Sequence, residues 1–353
     1  MHKEIAMVRV GIAGIGFMGW IHYLSYQRTE GIELGAICTR DAAKLSGDWT
    51  TIKGNFGPPG EKVDVSQLNC YDNIDALLAD DSIDVIDICL PPNLHAAVTC
   101  KAFAAGKHVF CEKPIALNQA ECEEMMAAAK SAGKQLLIGH ILPLLPEYAH
   151  ALEVIRSGKY GKVIGGSFKR VISDPTWIDG FYDPAIVGGP LVDLHIHDAH
   201  FIRLLFGMPK AVTSQGRLRG DVVEYCNTMF EFDDTSLAVG ATCGVINQQG
   251  RPFTHGFEIH LERATLQYEL AVVGEAAETL IPLTIYDDKG EVIRPDLGDG
   301  DMERAFDREI AEVLSSVQSN QPSSVLAGEL AADALRMCDA QTESVRERKS
   351  VAI

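Results

Sequence analysis

The stretch that decides the fold is Val8-Arg9-Val10-Gly11-Ile12-Ala13-Gly14-Ile15-Gly16-Phe17-Met18-Gly19. Val8–Ala13, β-branched and small apolar, reads as a buried strand, and a helix is predicted from the glycine-rich turn through Arg28. The first glycine of this GxGxxG spacing allows a tight turn. The second lets a pyrophosphate come up to the main chain, and the third lets helix pack on strand, with the helix N-terminus facing the negative charge. The spacing alone is a weak signal. Its place directly after a first strand, at the start of a helix, makes it a dinucleotide-binding turn with Gly14, Gly16, Phe17, Met18 and Gly19 as the expected contacts.

Working outward, short apolar runs alternate with helical stretches to about residue 140. Glu33–Cys38, Val85–Leu90, His108–Cys111 and Gln135–His140 read as buried strands; His95–Ala105 and Gln119–Ala132 read as helices ending at Gly106 and Gly133. Such alternation implies a parallel sheet covered on both faces. Ser46–Asn69, with Gly54-Asn55-Phe56-Gly57-Pro58-Pro59-Gly60, cannot be regular throughout and is expected to serve as a lid or a cofactor contact. After Pro143 the pattern changes. Helices are predicted near Pro146–Ser157 and Leu191–Phe206, and a strand at Lys162–Ile172. From Ala211 to Ile293 the chain reads as long strands joined by turns, followed by helices at Met302–Asn320 and Val325–Arg346. The expected architecture is a doubly wound parallel α/β domain of Rossmann type over residues 1–142. An α+β domain with a large open mixed or antiparallel sheet follows over 143–353, and the last helix is expected to pack back on the first domain.

The 353 residues suffice for two cores, and no apolar run approaches the roughly 20 residues of a membrane-spanning helix. A formal charge of −18 argues against nucleic acid or anionic lipid as partners, so an anionic ligand must be held by main-chain N–H groups or a few placed cations. Nine cysteines without a CxxC pair argue against a disulfide framework and a zinc ribbon. Cys89, Cys100, Cys111, Cys122 and Cys338 read as small core residues, and all nine as reduced thiols. The N-terminus shows no secretory pattern, which together with reduced thiols gives a cytoplasmic expectation.

Three segments carry chemistry. At the end of the second strand, Thr39 stands where an acid would hydrogen-bond the ribose of NAD, and Arg40 can pair with a 2′-phosphate. This tilts the choice towards NADP; NAD follows if Asp41 only caps the next helix and Arg40 is a solvated charge. Cys111-Glu112-Lys113-Pro114 places an ammonium at the C-terminal edge of the sheet, where doubly wound folds bind ligands. In Gly188-Gly189-Pro190-Leu191-Val192-Asp193-Leu194-His195-Ile196-His197-Asp198, Asp193 and His197 share one face of a predicted helix, and the glycines leave room for a ligand.

These segments, with Leu90-Pro91-Pro92-Asn93-Leu94-His95 and the run from Gly106 to Pro114, resemble the glucose–fructose oxidoreductase/inositol dehydrogenase (Gfo/Idh/MocA) family over nearly the whole chain. The resemblance implies a nicotinamide-dependent oxidoreductase of sugar-like or polyol-like substrates, with an open sheet that often meets a partner subunit in a dimer or tetramer. It implies cofactor contacts at Pro91, Asn93, His95, Glu112 and Lys113, with Lys113 beside nicotinamide and substrate, and roles for Asp193 and His197. Acid–base chemistry then suggests His197 as the base for the hydroxyl proton, Lys113 as the polarising or relaying group, and Asp193 as the orienting group. Where relatives often carry an arginine, this chain has Pro143-Leu144-Leu145-Pro146.

His140 is a candidate substrate contact or a buried histidine; His95 lines the nicotinamide pocket or caps a helix. Tyr148, Trp177 and Tyr182 are candidate sugar-stacking rings or core residues. His195, His197 and His200 with Asp193 and Asp198 raise the question of a divalent ion, but the histidines do not share one face and no metal is expected. A second reading, a glycosidase or lyase with tightly held NAD in a transient redox cycle, uses the same residues. A non-catalytic dinucleotide-binding regulator is a third.

Overall fold

Buried strands recur in the first 140 residues because each apolar run is short, β-branched and followed by a helix that covers one face of the sheet. The computed structural model describes residues 7–353 apart from 177, 179, 299 and 300. Its first half runs β1 (Val8–Ala13), α1 (Phe17–Tyr26), β2 (Ile32–Cys38), α2 (Ala42–Leu45), β3 (Asn69–Tyr71), α3 (Ile74–Leu78), β4 (Val85–Ile88), α4 (His95–Ala104), β5 (His108–Glu112), α5 (Gln119–Ala132) and β6 (Leu136–Gly139). All neighbouring pairs in this sheet are parallel, in the order β3-β2-β1-β4-β5-β6. The order reverses beside β1, between β1 and β4, and such a switch point opens a ligand crevice at the strands' C-terminal ends. Helix α5 is started by the Asn118 side chain, which accepts the Glu121 N–H, and ends at Gly133 in the left-handed region.

The chain continues with α6 (Pro146–Arg156), β7 (Val163–Ser173) and a turn of π-helix at Leu191–His195 that leads directly into α7 (Ile196–Phe206). Six strands follow: β8 (Ala211–Arg219), β9 (Val222–Glu231), β10 (Ala238–Ile246), β11 (Phe253–Leu261), β12 (Ala264–Val273) and β13 (Ala276–Asp287). The short β14 (Val292–Ile293), α8 (Glu303–Ser319), α9 (Gly328–Glu347) and β15 (Val351–Ala352) complete the described chain. The second sheet has the order β14-β13-β12-β11-β7-β10-β9-β8-β15 and is mixed: β7 and β10 are parallel, and the other pairs are antiparallel. Its core includes the rings of Tyr148, Phe168, Phe201 and Phe257.

Two compact units emerge. One runs to Leu144 and takes back Asp301–Ala331; the other holds Leu145–Gly300 and Ala332–Ile353. Of the two C-terminal helices, α8 lies wholly with the first unit, while α9 is divided at Ala331. The reason lies in α8: it buries Ala305, Phe306, Ile310 and Val313 on one stripe and packs on α1. No disulfide joins the nine cysteines; Cys111, Cys122 and Cys338 are buried, Cys89 and Cys100 partly so, and Cys70 is exposed.

Candidate active site

In the first unit, the site begins at the glycine turn. Gly14 has φ +104°, and a side chain there would strike the Cys89 carbonyl oxygen at 2.4 Å. A Cβ on Gly19 would lie 2.2 Å from the Gly14 carbonyl oxygen, so only glycine lets α1 approach β1 this closely. Gly16 is the opposite case: nothing lies within 4 Å of where its Cβ would be. Gly16 is also the N-cap of α1, with no side-chain cap. Open main chain at a helix N-terminus is what a pyrophosphate requires, so the turn fits a dinucleotide. Phe17 and Met18 are half-buried in the first turn of α1.

The loop at 46–69 is anchored rather than loose. Its two ends pair through Trp49 N–H to Glu61 and Val63 N–H to Gly47, and the Trp20 indole donates to the Pro58 carbonyl at 2.9 Å. Phe56 meets Phe17 edge-on at 4.7 Å and stacks on Phe306 at 5.5 Å, so the loop covers the N-terminal part of α1.

At the end of β2, Thr39 is half-buried and Arg40 exposed. Asp41 caps α2, accepting the N–H groups of Ala43 and Lys44. The Lys44 ammonium donates to the Ile15 carbonyl at 2.7 Å, which brings a cation to the glycine turn. After β4, Pro91 and Asn93 are exposed around a 3₁₀ turn at Pro92–Leu94. His95 is fully buried; its Nδ1 lies 2.8 Å from the Pro114 carbonyl oxygen and its Nε2 2.8 Å from that of Leu90. It ties the turn after β4 to the turn after β5. Burial pulls its pKa down, against the pull of the two carbonyl acceptors.

Glu112 and Lys113 end β5. Lys113 is half-buried, and its main-chain N–H donates to Glu112 Oε2 at 3.1 Å. Glu112 Oε1 lies 3.2 Å from Nε2 of His22 on α1, an ion-pair distance without hydrogen-bond alignment. His22 Nδ1 is 2.9 Å from Asp87 Oδ2 on β4, and the same oxygen accepts the Tyr26 hydroxyl at 2.9 Å. His22 and Asp87 are fully buried. Sequence reasoning missed this network; the available signal was the lone acid inside the apolar strand Val85-Ile86-Asp87-Ile88, which must have a partner. Ligand-type atoms of His22, Asp87 and Cys89 lie within 4.8 Å of one another. Burial and Asp87 push the Cys89 thiol well up, and the facing atoms of His22 and Asp87 already engage each other, so the trio is a hydrogen-bond network. His140, just past β6, is fully buried.

In the second unit, Asp193 lies in the π-turn and His197 in the first turn of α7, both half-buried, while His195, Asp198 and His200 are buried. On the side where a Cβ would stand, Gly188 meets Val192 and Gly189 meets Val222. Asp198 pairs bidentately with Arg170 on β7 (Nε at 2.7 Å, Nη2 at 3.2 Å), and the Arg170 guanidinium lies 5.8 Å from the Phe253 ring. Burial pushes Asp198 up, but Arg170 and His195 bring it to about 2. His195 Nε2 is 3.1 Å from Gln341 Nε2, which also donates to Thr228. The helix bearing Asp193 and His197 thus rests on a buried polar layer whose one sequence signal was an arginine within an apolar strand. Among the described residues, the His195–His200 stretch forms no three-ligand group of metal-binding spacing.

Tyr148 is fully buried, hydrogen-bonded to His255 Nδ1 at 2.9 Å. Arg219 lies 3.9 Å over the Tyr182 ring, whose hydroxyl donates to Asp174. Trp177 lies outside the described residues.

One family match spans both the glycine turn and the Glu112-Lys113 strand end. Residues 8–140 match the model described as oxidoreductase family, NAD-binding Rossmann fold, and residues 148–267 match the GFO/IDH/MocA C-terminal domain. The chain belongs to the GFO/IDH/MocA oxidoreductase family. Among curated relatives of this GFO/IDH/MocA chain is an uncharacterised oxidoreductase of Streptococcus pneumoniae serotype 4. It is 31% identical over 60% of this chain and 53% of its own. Another is 1-carboxy-3-chloro-3,4-dihydroxycyclo hexa-1,5-diene dehydrogenase of Comamonas testosteroni, 28% identical over 68% and 54%. The chain spans about half the length of the first curated relatives it matches. A levoglucosan dehydrogenase solved with NADH shares the fold, with a TM-score of 0.77, 21% identity and coverage of 98% of this chain and 99% of that one. Among the described residues of the GFO/IDH/MocA chain, no helix is long and apolar enough to cross a membrane.

Proposed function

We propose that this GFO/IDH/MocA chain is a dehydrogenase or reductase that moves a hydride between a nicotinamide dinucleotide and a carbinol carbon of a sugar, polyol or related cyclic compound. The observation that carries the reading is the combination of an open Gly16 main chain in the turn after β1 with Lys113 directly after β5, two strands of one sheet. When bound, the nicotinamide gives or takes the hydride. Lys113 presents an ammonium that stabilises the developing alkoxide or carbonyl oxygen. His197 takes the hydroxyl proton, and Asp193 orients His197 or holds a neighbouring hydroxyl. The names of the Comamonas dehydrogenase and of levoglucosan dehydrogenase support a cyclic, oxygen-rich substrate.

NADP is the preferred form in this reading. Thr39 replaces the ribose-binding acid, Asp41 is engaged as a helix cap, and Arg40 is exposed beside it. Cytoplasmic location and a homo-oligomer belong to the same proposal, supported by free thiols and by the family resemblance.

The test is absorbance at 340 nm during incubation with NADP or NAD and a panel of cyclic polyols and sugars, for wild type, Lys113→Ala and Arg40→Ala. Net cofactor reduction that Lys113→Ala abolishes supports the reading, and Arg40→Ala is expected to weaken NADP more than NAD. Cleavage of a glycoside with no net change at 340 nm would replace it with the internal redox cycle.

A further inference from the structure

The glycine turn and the Lys113 strand end are joined beneath the surface by one histidine. His22 projects from α1 into a fully buried position between β4 and β5. One nitrogen meets Asp87 at 2.9 Å, and the other lies 3.2 Å from Glu112, whose second oxygen accepts the Lys113 main-chain N–H. A neutral imidazole has one N–H, which the Asp87 contact takes; Nε2 makes no aligned hydrogen bond but stands at ion-pair distance from Glu112, so a second ring proton is what gives that carboxylate its counter-charge. Two carboxyl groups facing one buried ring would otherwise stand without a counter-charge in a site closed to water.

We propose that His22 is a positioning residue for Lys113: an imidazolium that joins the Asp87 carboxylate on β4 to the Glu112 carboxylate on β5 and so fixes the main chain from which Lys113 extends. The remaining neighbours agree. Tyr26, on the same helix, donates to Asp87, and the Cys89 thiol contacts both His22 and Asp87. Phe110 stacks on the imidazole at 5.1 Å and Phe306 of α8 lies at 6.3 Å, which shuts the ring away from solvent. Glu309 reaches the cluster from α8, fully buried and without a hydrogen-bond partner among the described residues. Burial pushes its carboxyl well up against the pull of His22, and Glu112 and Asp87 add to the rise. Burial pulls His22 down, but Asp87 and Cys89 outweigh it and hold the ring well above its ordinary range. Gly139 completes the arrangement: a Cβ there would come within 3.1 Å of Glu112 Oε1, on the side where the carboxylate must sit.

The inference rests on the reading of Lys113 as the group that meets substrate. Its test is NMR of the full chain labelled with ¹⁵N at histidine and in the backbone, with His22 assigned by its loss in His22→Gln. Two protonated ring nitrogens at pH 7, where an ordinary histidine is mostly neutral, are expected. In folded His22→Gln the Lys113 amide resonance should move and its hydrogen exchange quicken about tenfold or more. Should His22→Gln fail to fold, Glu112→Gln decides the matter: it is expected to lower the His22 midpoint by about one unit or more. A neutral His22 ring at pH 7, an unchanged Lys113 amide in folded His22→Gln, or an unmoved midpoint in Glu112→Gln would each overturn the proposal. If Lys113→Ala keeps full turnover, the catalytic reading fails while the ring and amide results stand as measured.

Discussion

Substituting Gly16 by alanine separates binding from folding at the glycine turn. In the protein alone, the added methyl meets nothing within 4 Å. The backbone at Gly16, φ −104° and ψ −156°, is extended and open to any residue. The folding cost is therefore confined to a weaker helix N-cap, a few tenths to about 1 kcal/mol. With a dinucleotide bound, the same methyl stands in the path of the pyrophosphate. Overfilling a packed contact costs about 1–3 kcal/mol, which corresponds to a loss of about 5- to 150-fold in affinity. Gly19→Ala is the control of opposite sign: its Cβ would lie 2.2 Å from a main-chain oxygen, so the turn must shift and stability falls along with binding. Fluorescence titration with NADPH and NADH, beside thermal unfolding of both variants, reads the two effects independently. Gly16→Ala that binds both dinucleotides like the wild type, or that loses its fold first, would refute the reasoning.

Removing the Asp198 carboxylate by Asp198→Ala strands the buried Arg170 guanidinium and is expected to cost about 3–5 kcal/mol, read as an earlier urea midpoint. Stability should also decline in acid through His255 and His108. Burial and Arg170 depress His255 to about 3, and burial and Lys134 depress His108 to about 4. A histidine with a lowered folded pKa contributes fully above its unfolded value near 6.5, and the contribution is lost as pH falls towards the folded value. The expected slope is about 1.4 kcal/mol per pH unit for each, measured by urea unfolding between pH 6.5 and 4; His108→Asn should remove one share of it. Asp198 adds its own loss only below about pH 4, as pH falls towards its folded value of about 2.

The parts legible in the sequence were those whose signal is local. The first strand and turn are declared by a six-residue, mostly apolar run and the three glycines after it, and α5 by Asn118 and Gly133 at its ends. β3 and α3 escaped because Asn69-Cys70-Tyr71 is a three-residue edge strand with no buried side chain. β8 is buried only at Val212 and Ser214, so its polar second half hides the strand. The π-turn at Leu191–His195 changes the helical period just where Asp193 was placed by an α-helical count. The His22, Asp87 and Glu112 network could not be read in advance, since its members are far apart in sequence and come from three elements whose register only the folded sheet sets. At His95 the sequence left open a nicotinamide contact or a helix cap, and the contacts of its two nitrogens with the carbonyls of Pro114 and Leu90 come from turns that only the folded sheet brings together.

The most direct test of the central claim follows the hydride itself. NADPH deuterated at C4 of the nicotinamide is incubated with the full chain and a mixture of keto-sugars and keto-polyols, and the products are read by mass spectrometry. The account predicts a deuterated alcohol, formed by the wild type and not by Lys113→Ala, with release of oxidised cofactor. Deuterium that stays on the cofactor while a substrate is cleaved or left untouched would contradict it.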